Sequence, residues 1–264
     1  MKTRIFPALT LLLLLMLACS LSGRPSSNSG AGSTEQPIAQ ATGTPTPLPD
    51  PNPVSINNGL ASLNSYQMTV TYTSTGPDPA QSSKTDIESQ RSSDSDASVT
   101  HFTMTAVKPG EKPQVSDTIT YRIGNDQCSG SDADGWEWAS FSPTEAEMQG
   151  LITNMIGLTP IIDDPVFVAA ETVNGVPANH FNFKVSGLGD SSGSVVNINQ
   201  GDYWLAVDGQ YIVKYLLVLE MSAAPNSQVM HQEISIDLND INGPVSIAFP
   251  EGCLAVAPTP SPTP

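Results

Sequence analysis

The sequence predicts an α+β domain: a large curved antiparallel sheet of about 9–11 strands, with helices packed on its concave face. Three observations carry this. Apolar and polar residues alternate with period two in one segment after another, as in "QMTVTYTST" and "SVTHFTMTAV". Two hairpin signals, Asn174-Gly175 and Asp208-Gly209, join such segments directly. Helical spacing is confined to two places.

The elements follow in order. Ile56, Leu60 and Leu63 fall at helical spacing after a candidate cap, Ser55, and predict a short amphipathic helix despite Gly59. Met68, Val70 and Tyr72 then alternate against threonines as a half-buried strand. "DIESQRSSDSD" is polar throughout and is expected to be an edge strand or a loop. Phe102, Met104 and Ala106 define the next strand, and Val115, Ile119, Tyr121 and Ile123 the one after. A stronger helix is predicted in "SPTEAEMQGLITNMIG". Ser142 caps it, Pro143 sits in the first turn and Glu145 completes a capping box. Met148, Leu151, Ile152 and Met155 form its apolar stripe. Strands resume with "VFVAAETVNGVPANHFNFKV", where Asn-Gly suits a type I′ turn and Phe181, Phe183 and Val185 share a face. "GDYWLAVDGQYIVKYLLVLEMS" is a second hairpin, and "QVMHQEISIDLNDI" a last strand with Met230, Ile234, Ile236 and Leu238 on one side.

Four segments frame this domain. Residues 1–18 carry Lys2 and Arg4, an apolar run and a small residue before Cys19, the pattern of a secretory leader. Met16-Leu17-Ala18-Cys19 resembles the bacterial lipobox, in which the cysteine is acylated and becomes the first residue. Cys19 is therefore expected to be a lipid anchor to the outer face of the cell membrane. Residues 19–53 hold that cysteine and a linker of Ser, Thr, Pro and Gly, with a coil reach of roughly 30–35 Å. The folded domain is expected over 54–256, with a Pro-rich tail at 257–264.

Charge excludes whole classes of partner. The chain has 10 Lys+Arg against 26 Asp+Glu. Loss of Lys2 and Arg4 with the leader leaves 8 against 26, net −18. Nucleic acid is not a partner for such a chain, because its binding needs cationic contacts to phosphate. Cys128 and Cys253 are the cysteines left after Cys19, and outside the cytoplasm they are expected to pair as a disulfide. Two distant thiols without a histidine cluster make no metal site.

Other motifs fall short of chemical sites. "GDSSG" matches the G-x-S-x-G pattern but lacks the strand-to-helix setting of a nucleophile elbow, so it reads as a loop. His101, His180 and His231 sit on polar strand faces. "SDADGWE" fails the calcium-loop frame and reads as an acidic turn. No enzyme, no catalytic residue, no metal and no cofactor is expected.

"ETVNGVPANHFNFKV" followed by "GDYWLAVDGQYIVKYLL" resembles the LppX/LprG lipoproteins of the LolA/LolB carrier superfamily. The matching positions are Val173, Gly175, Ala178, His180 and Phe181, then Trp204, Asp208 and Gly209. The resemblance implies a half-barrel with an apolar cavity for acyl chains, hence a lipid- or glycolipid-binding or transfer protein. Met148, Leu151, Ile152, Met155, Phe181 and Phe183 would line the cavity, and the protein would be a monomer. The other reading of the same helix is that it completes a dry core. A different class of function is a surface adhesion or sensing module that binds carbohydrate or protein through Trp136 and Trp138 on the outside of the sheet.

Overall fold

A computed structural model describes residues 48–52, 56–76, 78, 82–140, 162–185, 195–222 and 228–258. Eleven strands form one antiparallel sheet, in the order β6-β5-β4-β3-β2-β1-β11-β10-β9-β8-β7. They are β1 (Ser65–Thr75), β2 (Ser82–Ser92), β3 (Ala97–Val107), β4 (Gln114–Ile123), β5 (Asp126–Ser131), β6 (Gly135–Ser140), β7 (Asp163–Val173), β8 (Val176–Lys184), β9 (Val195–Ala206), β10 (Ile212–Ser222) and β11 (Val229–Asn239). The sheet is open, with β6 and β7 as its edges. Two meanders, β1–β6 and β7–β11, meet where β1 pairs with β11. Helices are few: α1 (Ile56–Ala61) and α2 (Glu251–Val256).

The hairpin signals act as their chemistry demands. Asn174 and Gly175 both have positive φ, 51° and 80°, and join β7 to β8. Gly209 at 87° and Gln210 at 50° turn β9 into β10. The polar segment around Asp86 and Glu88 is a correction to the expectation. It forms β2, an interior strand paired along its length with β1 and β3. Its backbone bonds hold it there, and Ile87 is its one buried apolar residue.

Register aligns the apolar residues into rows. Phe167, Phe181, Tyr203, Tyr215, Ile236, Val70, Ile87 and Phe102 stand opposite one another across eight strands. One step along runs Phe183, Gly201, Leu217, Ile234, Tyr72, Thr85 and Met104. These define the Tyr203 face. The opposite face of the same strands carries Trp204, Asp202, Lys214, Asp237 and Glu88 and is mostly polar, with Leu216 and Val218 of β10 among them.

At the other end of the sheet the apolar side changes. Phe102 on β3 meets Thr118 on β4, whereas Ile119 and Tyr121 of β4 lie beside His101 and Val99 on the Trp204 face. Cys128 and Trp138 continue that row from Tyr121. An extended arm, residues 243–250, approaches this patch with Val245, Ile247 and Phe249 half-buried and the residues between them exposed. It ends in α2, whose Cys253 is bonded to Cys128 with the Cα atoms 5.9 Å apart. Phe249 lies on Trp138 with ring centroids 4.6 Å apart. This arm and α2 had no counterpart in the sequence reading.

Candidate functional site

The most developed surface lies on the Tyr203 face of β8–β11. Alternation puts Phe181 and Phe183 of β8 on it, with Val185 just past the strand's end, and β9 adds Tyr203 and Leu205, all buried. Tyr203 is 0% exposed and Phe181 1%. The Phe181 and Tyr203 rings stack at 5.1 Å, and Phe167 meets Phe181 edge-on at 5.7 Å. Phe183 touches both Tyr203 and Tyr215, at 5.8 and 5.2 Å. Gly201 makes this possible. A Cβ there would stand 2.2 Å from Cζ of Phe183, so the ring lies directly over bare backbone. Aromatic contacts of this kind each add about 0.5–1.5 kcal/mol to burial alone.

The chain arriving from the N-terminal side reaches this surface. Asp50 accepts hydrogen bonds from the backbone and side-chain amides of Asn52, at 3.0 and 2.9 Å, and closes a small turn. That turn presents the Pro51 carbonyl to the Tyr203 hydroxyl, which donates to it at 2.6 Å. Burial, then the nearby Asp50 charge, pushes the Tyr203 hydroxyl well above its usual range. Burial alone does the same to Tyr215. Both rings are therefore neutral hydroxyl-bearing aromatics throughout the physiological range. Below them, α1 rests on the β9–β10 turn, where a Cβ on Gly59 would come within 2.8 Å of the Tyr211 Cβ.

The Trp204 face of the same strands is a closed polar network. His180 donates to Asp202 at 2.8 Å and its other ring nitrogen lies 3.3 Å from Glu171. Asn182 also donates to Asp202. The Trp204 indole donates to Glu171 at 2.6 Å, stacks on His180 at 4.3 Å, and has the Lys214 ammonium 5.4 Å from its centroid. His180 and Lys214 thus flank that ring from the neighbouring strands β8 and β10. His101 and Thr103 donate to Asp117 and hold its carboxyl below the usual range, the His101 bond contributing most. His231 pairs with Glu220 at 3.4 Å. Each histidine thus belongs to a cross-strand pair, as its polar-face position predicts.

Phe181 and Phe183 stand together as the sequence places them. Met148, Leu151, Ile152 and Met155 lie outside the described residues, as do Cys19 and the "GDSSG" loop. Trp136 and Trp138 share the Trp204 face, but the C-terminal arm covers them. Phe249 lies on Trp138, and a Cβ on Gly252 would fall 2.3 Å from Cδ1 of Trp136. The acidic turn is tied into the protein: Trp136 donates to Asp132, and Ser131 to Asp134. Among the described residues no group of three or more His, Cys, Asp or Glu could hold a metal. Sequence reading missed Tyr203, Tyr215, Leu205 and Leu217 as members of this surface. Their alternation is legible, but only register shows that they stand beside Phe181 and Phe183. An open hollow of about 510 Å³ lies at the turn end of the sheet, lined by Asn174, Pro177, Asp208, Tyr211 and Asp240, away from the aromatic rows.

No protein-family model matches the chain, and no curated protein matches it in sequence. Solved structures do. The lipoprotein LppX of Mycobacterium tuberculosis is 15% identical over 74% of this chain and 94% of its own, with a TM-score of 0.35. The MucA/MucB complex of Pseudomonas aeruginosa matches at 13% identity over 71% of this chain and 56% of that one, TM-score 0.26. A DUF1329 family protein from Desulfovibrio piger matches at 8% identity over 74% and 95%, TM-score 0.22. The LppX resemblance in the sequence is thus accompanied by a structural match to LppX. No helix among the described residues is long and apolar enough to cross a membrane.

Proposed function

We propose that the protein is a lipid-anchored extracytoplasmic lipoprotein that binds acyl chains against the Tyr203 face and carries or presents them at the membrane. One observation carries the reading. One row of apolar and aromatic side chains runs across eight strands on one side of an open sheet, with a second beside it broken by Gly201 and Thr85, while the other side of those strands is mostly polar. Such a face must be covered by protein, by ligand or by both.

Topology supports a curled sheet with a helical cover. The chain leaves at the β6 edge and re-enters at the β7 edge. Ten inter-strand gaps of about 4.8 Å would put the edges of a flat sheet about 48 Å apart. A helix over residues 142–157 would rise about 24 Å, and the remaining residues of the connection would add about 20 Å. That connection spans the two edges comfortably only if the sheet curls toward a half-barrel. Met148, Leu151, Ile152 and Met155 would then face Phe181 and Phe183 across the acyl site. The leader, Cys19 and the linker would tether this domain, running to Val256, at the outer membrane face.

The test uses the full chain in its own membrane. Cells are fed a fatty acid bearing a photoactivatable group, irradiated, and the protein's crosslinked peptides mapped. Crosslinks are expected in β8, β9 and β10, around Phe181, Phe183 and Leu217. Labelling confined to the acyl group on Cys19 would sink the proposal.

A further inference from the structure

Charge on this sheet is sorted by face. Across β1–β5 and β8–β11 no carboxylate points to the Tyr203 face. Asp86, Glu88, Asp117, Asp202, Glu233 and Asp237 all stand on the opposite side, in register with Thr71, Thr69, Thr103, Asn182, Val218 and Lys214. The exception is Glu137 on the β6 edge, opposite Ser129. In a chain with 26 acidic residues this segregation is not what solubility requires. The described arginines lie on the acid-poor side. Arg91 of β2 and Arg122 of β4 share one register row, with Ser98 of β3 between them and Tyr66 and Gln127 at its ends.

The next row toward the middle of the sheet is Met68, Ser89, Thr100, Thr120 and Ser129. Its hydroxyls already touch: Ser89 and Thr100 at 3.3 Å, Thr120 and Ser129 at 3.1 Å. Beyond it lie Val70, Ile87 and Phe102, which lead straight into the aromatic rows. The Arg122 guanidinium is shared with Asp96, at 2.6 Å, and with the Gly124 carbonyl. Arg91 is half-buried and makes no hydrogen bond or ion pair among the described residues. Acids border this patch at Asp96, which Arg122 binds, and at Glu137, opposite Ser129. The Arg91 guanidinium, without a counter-ion among the described residues and flanked by hydroxyls, suits an anion.

We infer that the rows around Arg91, Ser98 and Thr100 receive the phosphate of an anionic phospholipid whose acyl chains lie on the Phe181–Tyr203 rows. This rests on the acyl-binding reading above and adds to it the polarity and orientation of the ligand. The geometry is that of an amphiphile: hydroxyls and guanidinium at the β2–β5 end, aromatics at the β8–β11 end, on one face. The acid that the N-terminal segment brings close, Asp50, acts on Tyr203 at the aromatic end. It would repel a head group placed there and so favours the same orientation.

The test places the full chain in vesicles of neutral lipid that contain a trace of phosphatidylglycerol or of phosphatidylcholine, each with the same photoactivatable acyl chain. Crosslinking to the sheet is expected to favour phosphatidylglycerol about tenfold, the scale of one charge-assisted hydrogen bond. Arg91→Gln should erase the preference while phosphatidylcholine crosslinking stays unchanged, and Arg91→Lys should restore part of it. Lys84→Gln, on the opposite face beside Asp86, should leave it intact. Inorganic phosphate is the second probe. Its displacement of phosphatidylglycerol alone, at constant ionic strength, supports phosphate as the recognised group. Equal crosslinking of the two lipids, or a preference that survives Arg91→Gln, overturns the head-group site and leaves the acyl site standing. Arg91-dependent phosphate binding with no lipid crosslink assigns the site to free phosphate and overturns the amphiphile. No crosslink from either lipid overturns both readings.

Discussion

The two ends of this sheet bury apolar residues on opposite faces and by different means. At the β4–β6 end, Tyr121, Cys128, Trp136 and Trp138 lie under the chain's own C-terminal arm, which the Cys128–Cys253 bond ties in place. At the β8–β11 end, Phe181, Phe183, Tyr203 and Tyr215 form a wider surface, met by a short N-terminal turn through one hydrogen bond to Pro51. A cover fixed covalently is suited to structure. The contrast teaches that a disulfide ties down the apolar patch at one end, whereas the patch at the other end is built from aromatic rings packed across strands.

Perturbations should separate the ends. The largest effect is expected from Phe181→Ala, which removes a ring stacked on Tyr203 and 1% exposed. A loss of about 3–5 kcal/mol in a denaturant titration is expected for a fully packed position. A loss below about 1 kcal/mol would contradict the packing of this ring against Tyr203. Cys253→Ser opens a loop with a sequence separation of 125 residues and should cost about 2–5 kcal/mol. Tryptophan emission should shift to the red as Trp136 and Trp138 become wet, while acyl crosslinking at the other end persists. Loss of that crosslinking would show that the ends are not independent.

Gly201→Ala is the next smaller change. Its methyl meets the Phe183 ring and should cost about 1–3 kcal/mol as overpacking. The same substitution should reduce acyl labelling more than Gly252→Ala, which crowds Trp136 at the structural end. The smallest stability effect is expected from Tyr203→Phe. Losing its bond to Pro51 should cost about 1 kcal/mol, and it should raise proteolytic cutting near residues 48–52 if that bond is the latch.

The tyrosines also predict an alkaline limit. The folded protein keeps Tyr203 and Tyr215 protonated well above the ordinary value of 10.0. Above about pH 10 the unfolded chain releases protons that the folded chain retains, so stability falls as pH rises. Below that pH both states hold the protons and these groups contribute no slope. Tyr215→Phe should flatten the decline in melting temperature between about pH 10 and 11, and an unchanged slope would contradict the burial of its hydroxyl.

Much of this was legible along the chain, and the limits have physical causes. Alternation located β1, β3, β4, β8 and β11, and Asn174-Gly175 located a turn, because both signals depend on neighbours in sequence. β2 was misjudged because an interior strand needs backbone partners more than apolar side chains, and a run rich in Ser and Asp does not reveal those partners. The arm at 243–250 was missed for a related reason. Its half-buried alternation makes no ladder of its own, and only Phe249 and Cys253, by what they touch, show its role.

The sequence by itself determined which residues alternate within each strand, where the turns fall, how acidic the chain is, and which two cysteines remained to pair. The tertiary structure decided which face each alternation points to. A strand's period is local, but its phase against the next strand is set by register. That phase puts Phe102 and Ile119 on opposite sides, gathers Phe181, Tyr203 and Tyr215 into one row, and sets Arg91 on the face away from Asp86 and Glu88.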